Sequence, residues 1–153
     1  MKMKSLTGKW LAALLLVGGA SQFANAAEPT AFDLVKEGNR HLGEEAKGRV
    51  VQIRSEKSVG GLTPNIWYIV YYDPDATAKA TEIKFAAGTK VAVKRPARVL
   101  ESISGSYREL PKEKLKIDSD KANEIAKNEP LIKNLTLTNT QLTLERGLQA
   151  ALA

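Results

Sequence analysis

Beyond the N-terminal run at 10–20, hydrophobic positions are densest at residues 66–72, "IWYIVYY", where every residue is β-branched or aromatic, so the stretch predicts a buried strand. Upstream, "GRVVQIRSEKS" at 48–58 alternates Val51 and Ile53 with Gln52 and Arg54, the period of a strand with one buried face. Downstream, Ile83 and Phe85 alternate with Glu82 and Lys84 over 81–87, and Gly88-Thr89 turns the chain into "KVAVKRP", where Pro96 ends the ladder. "VGGLTPN" at 59–65 is a loop, and Asp73-Pro74-Asp75 opens a turn. Ahead of these strands, residues 28–46 predict a helix. Thr30 caps it with Asp33 three residues on, Phe32, Val35 and Leu42 share a face, and Gly48 breaks it.

The pattern then begins again. Residues 97–116 are charged and interrupted by Gly105 and Pro111, a linker with a short turn of helix or strand at 98–103. Residues 118–132 predict a second helix, capped by Asp118 or Ser119, with Ala122, Ile125 and Ala126 on one face and Pro130 as its stop. In 133–146, Leu135 and Leu137 are out of phase with Leu142 and Leu144, which calls for a bulge or tight turn near Asn139-Thr140. "GLQAALA" at the end reads as a frayed helical tail. The fold class is α+β: a helix packed on an antiparallel sheet at 28–96, a linker at 97–116, and a partial helix-plus-strand unit at 117–153. A helix and one strand bury no core alone. Either this second unit packs on the first or something else completes it.

The N-terminal pattern changes the chemical setting. Three lysines precede the apolar run "WLAALLLVGGA" at 10–20, and Ala24-Asn25-Ala26 follows. The run is shorter than the ~20 residues that span a bilayer. Residues 1–26 therefore read as a signal peptide cleaved after Ala26 or Ala27, and the protein as periplasmic or secreted without a stable membrane anchor afterwards. Cleavage leaves 20 basic against 17 acidic residues, so the balance falls from +6 to +3. That is too little to argue for nucleic acid, and "KVAVKRPAR" reads as a solvated strand end. With no cysteine in the chain, the core alone must hold it together.

The order helix, strand, then "NIWYIVYYDPDATAKATEIKFAAGTKVAV" resembles the PepSY domain, a small exported module of peptidase propeptides and envelope proteins. Trp67 to Val70 stand in its aromatic strand, Ile83 to Ala87 in the next, and Ala87 to Lys90 in the closing turn; "IDSDKANEIAKNEP" is similar to the opening helix of a second copy. The resemblance implies a helix on an antiparallel sheet and a non-catalytic role, binding or restraining another envelope protein or a peptidase.

Catalytic chemistry is poorly supplied. His41 is the one histidine and reads as a solvated helix residue, so neither a serine triad nor a zinc site is expected, and no cofactor. Asp73 with Asp75 reads as a turn former, and Asp118 with Asp120 as a helix cap. Gly60-Gly61 lacks the lysine and helix of a phosphate loop. What remains is the aromatic strand. Alternation puts Trp67, Ile69 and Tyr71 on one face and Ile66, Tyr68, Val70 and Tyr72 on the other. The second set is expected in the core, leaving Trp67 and Tyr71 as binding contacts on an open face. The alternative is a purely structural envelope domain in which residues 117–146 cover that face.

Overall fold

The computed structural model describes residues 28–96, 108–132 and 134–147. The expected signal peptide, the turn at 98–103 and most of the C-terminal tail lie outside them. The α+β class holds: five antiparallel strands form one sheet in the order β4-β3-β2-β1-β5, with two helices. The strands are β1 (Val50–Ser55), β2 (Ile66–Tyr72), β3 (Ala80–Ala86), β4 (Thr89–Lys94) and β5 (Thr143–Glu145). The helices are α1 (Ala31–Gly38) and α2 (Ser119–Lys127).

Helix α1 is shorter than the 28–46 span the pattern predicts. A single 3-10 turn over Asn39–His41 follows it, and the chain is extended at Leu42. Thr30 is the cap: its Oγ1 accepts the Asp33 amide at 3.3 Å and donates to the Asp33 carboxylate at 3.1 Å. The remaining free amides of the first turn find partners 86 and 88 residues away. Ala31 N–H donates to Ser119 Oγ at 3.0 Å and Phe32 N–H to Asp118 Oδ1 at 3.1 Å. Asp118 also accepts from Ser119 N–H at the start of α2. One carboxylate thus sits between the positive ends of two helices, where both dipoles favour it.

The 117–146 segment packs on the first unit. Leu144 pairs with Ile53, and Ser55 exchanges bonds with Leu142, its N–H donating to the Leu142 carbonyl and its Oγ accepting the Leu142 N–H. The strand covers only Thr143–Glu145, so the phase conflict in 133–146 disappears: Leu135 and Leu137 are exposed outside it. In α2, Ile125 is exposed as well, and Asn123 is the buried residue, donating to the Leu62 carbonyl. The described end of the expected linker is packed against the sheet. Leu110 is buried with its N–H on the Val50 carbonyl, and a 3-10 turn spans Lys112–Lys114.

The two faces of β2 are the reverse of the expectation. The core holds Trp67, Ile69 and Tyr71 together with Ile53, Ile83 and Phe85, beneath Ala31 and Leu34 of α1. Ile66, Tyr68 and Tyr72 are only half-buried. Cross-strand register decides this. Trp67 pairs with Phe85 and Ile69 with Ile83, whereas Tyr68 lies between Arg54 and Lys84, which must stay hydrated. A bulge between Val50 and Gln52 breaks the simple alternation of β1. Val50 joins Ile53 in the main core, and Val51 forms a small cluster on the other face with Val70, Ala80 and Tyr72.

Candidate functional site

Of the two aromatic contacts expected from the sequence, neither is on an open surface. Tyr71 is sealed: it is 0% exposed, its hydroxyl donates to the Val35 carbonyl at 3.0 Å, and burial pushes its phenol far above the ordinary 10.0. Trp67 is 5% exposed, with its indole N–H on the Pro64 carbonyl at 3.0 Å. It nevertheless reaches a surface from below. Its ring helps to form an apolar cleft of about 220 Å³ with Phe32 of α1, Ile53 of β1, Ala122 of α2, and Leu142 and Leu144. Ile117, 53% exposed, lies at its rim with Asp118 and Ser119.

This cleft exists because α1 is too narrow to roof the whole sheet. Ala31 and Leu34 cover its middle, and β5 is only three residues long. Phe32, Val35, Leu115, Leu142 and Leu144 are left half-covered around the gap. A second bay of about 300 Å³ adjoins the first, walled by Phe32, Val35, Val50, Ile53, Leu110 and Leu115. Phe32 and Ile53 belong to both bays. The polar residues of the linings are few: Asp118, Ser119 and Thr143 in the first, Lys36, Asn39 and Lys112 in the second. Such a lining suits apolar side chains held in place by a few polar contacts.

The opposite face of the sheet carries the tyrosines that were expected inside. Arg54 lies over the Tyr68 ring at 4.0 Å and Arg49 over Tyr72 at 4.3 Å. Their charges are already paired, Arg54 with Glu82 and Arg49 with Glu109, each at 2.7 Å. Tyr68 donates to Glu56, which also takes Lys84 at 3.3 Å; these bonds, the Tyr68 one foremost, hold the Glu56 carboxyl below its ordinary range. The face is a self-neutralised lattice in which both rings already carry a cation.

The remaining candidates stay apart. His41 faces Glu37 at 3.5 Å on the surface of the first helical segment. Asp73 is buried and bonded to Thr81 Oγ1 at 2.6 Å, Asp75 N–H at 3.0 Å and Arg95 at 3.3 Å, the anatomy of a turn. Lys90 and Lys94 are exposed on β4, and Arg98 lies outside the described residues. No group of histidine, cysteine, aspartate or glutamate among the described residues could hold a metal, and no helix among them is long and apolar enough to cross a membrane. Sequence reasoning missed the linker leucines, Leu110 and Leu115, and Ile117, because none belongs to a regular period. Leu142 and Leu144 do alternate and were the available signal. No family model matches this chain, and neither a characterised protein nor a solved structure is similar enough to match it.

Proposed function

We propose that this protein is an exported, non-catalytic binding module of PepSY-like build that holds an apolar segment of another envelope protein or of a peptidase. The observation that supports this is the pair of adjoining apolar bays, open at the seam between α1, β1 and β5, with Trp67 in the lining of one. Trp67 acts there as a wall of the cleft, and Tyr71 as support for α1 behind it. Apolar surface left in a concave site, rimmed by a few polar groups, favours association with apolar side chains.

The test is selection of peptides from a random display library by the purified protein. Peptides with two apolar side chains at short spacing should be enriched. The variant Ala122→Phe, which fills the Trp67 bay from α2, should lose them while its circular dichroism and melting midpoint stay unchanged. Equal enrichment by the filled variant would remove the cleft from the function. A purely structural role is the second reading, and the complete burial of Tyr71 favours it. It expects no selected peptides at all. Export rests on the N-terminal pattern of residues 1–26, and the intact mass of envelope-derived protein tests it.

A further inference from the structure

Two donors in the lining of the second bay, Asn39 and the exposed Lys112, lie beside Gly48. Gly48 N–H donates to Asn39 Oδ1 at 2.7 Å, which fixes the amide and leaves its NH2 arm without an acceptor among the described residues. Lys112 Nζ lies 2.2 Å from the point that a β-carbon on Gly48 would occupy, so the ammonium rests against the Gly48 backbone. Gly48 also has φ of +70°, which glycine alone adopts freely. The Lys112 ammonium has no ion pair or hydrogen bond among the described residues, where only its carbonyl is engaged, by the Leu115 N–H. Its cationic neighbours differ: Lys36 is paired with Asp33, Lys47 with Glu44 and Arg49 with Glu109. Both Asn39 and Lys112 belong to the lining of the bay.

An ammonium and an amide beside an apolar bay complement a carboxylate attached to an apolar group. The second observation is that the two bays share Phe32 and Ile53 in their linings and so lie side by side. An extended peptide places its residues i and i+2 on one side, about 6–7 Å apart, so that two side chains enter neighbouring bays.

Building on the peptide-binding reading above, we propose that the cleft recognises the C-terminal end of a peptide. The terminal carboxylate lies against Lys112 and Asn39, the last side chain fills the bay of Val35 and Leu110, and the side chain two residues earlier fills the Trp67 bay. The ligand is therefore a chain end of the type apolar–x–apolar–carboxylate.

Calorimetric titration of the purified protein with N-acetylated Ala-Leu-Ala-Leu tests this, with the free acid compared against its C-terminal amide. The acid should bind at least tenfold more tightly. Lys112→Met should abolish that difference without altering the amide's affinity or the melting midpoint, and Lys112→Arg should keep most of it. Equal affinities for acid and amide would overturn the carboxylate site and leave the cleft as a peptide binder. If neither form binds, both readings fall. Binding of dodecanoate without binding of the tetrapeptide would overturn the proposal in favour of an acyl ligand.

Discussion

The contact between Gly38 and Tyr71 makes a sharp test of how α1 is seated. Gly38 has an ordinary helical backbone at φ −56°, so alanine there should gain the ~0.8–1 kcal/mol by which glycine weakens a helix. Space opposes that gain. A β-carbon on Gly38 would lie 2.2 Å from the Tyr71 hydroxyl oxygen, 3.1 Å from Cζ and 3.4 Å from Cε2. Tyr71 is wholly buried and its hydroxyl is tied to Val35, so the ring has nowhere to go. Overpacking of this kind destabilises by about 1–3 kcal/mol, enough to exceed the propensity gain. Tyr71→Phe removes the oxygen. It loses one hydrogen bond, about 1 kcal/mol, since the Val35 carbonyl keeps the Asn39 N–H. In the double variant the nearest ring atom to the new methyl is Cζ at 3.1 Å, a tight contact that a small shift relieves. The pair should therefore be more stable than the sum of the singles by about 1–2 kcal/mol, the range of coupling for residues in contact. Urea unfolding of the four proteins, followed by tryptophan fluorescence, measures it. Strict additivity, or a Gly38→Ala protein more stable than the parent, would refute the packing argument.

Asp118→Ala removes the carboxylate shared by the first turns of α1 and α2 and should cost about 2 kcal/mol in the same assay, more than one ordinary cap. Trp67→Ala should cost about 3–5 kcal/mol, because the indole is part of the core as well as of the cleft. Acid should weaken the fold through Asp33 and Glu56. Asp33 is held below its ordinary 3.8 chiefly by the Lys36 hydrogen bond, and Glu56 below 4.5 chiefly by Tyr68. Groups with lowered folded values contribute fully above those ordinary values and lose the contribution as pH falls through the folded ones. The unfolding midpoint should hence be insensitive to these two groups between about pH 6 and 8 and decline below about pH 4. The double variant Asp33→Asn, Glu56→Gln should flatten that decline.

The strands were legible because each carries a local signal: period two in β3, β-branched and aromatic density in β2, and turn residues between them. The buried face of β2 was not, since it depends on which residues of β1 and β3 lie opposite. Tyr68 between Arg54 and Lys84, and Trp67 against Phe85, are facts of register, and register lies beyond any single segment. The rule that aliphatic Ile66 and Val70 mark the core then favoured the wrong set, because the aromatic rings supply the volume needed under α1. The bulge at Val50 to Gln52 was hidden for the same reason, as Val51 and Ile53 alternate on paper but go to different faces. The cleft draws on Leu110 and Leu115, from a segment with too few apolar residues to show a period, as well as on the alternating Leu142 and Leu144. Its charged end, at Lys112 and Gly48, brings together residues 64 positions apart.

The strand order also dictates a sequence of events. β2, β3 and β4 follow one another through short turns between Ile66 and Lys94, so they close small loops and are free to assemble early. β5 must find β1 across a separation of about 90 residues, seen in the Gln52–Glu145 bond with its spacing of 93. That search belongs to the slow end of folding, and β5 contributes only three paired residues when it arrives. Until then the outer edge of β1 is an unpaired strand with Ile53 uncovered. Detachment of β5 from the finished fold is the reverse step and breaks the fewest strand bonds. It would open the cleft wall formed by Leu142 and Leu144, making this end of the sheet the least protected against hydrogen exchange.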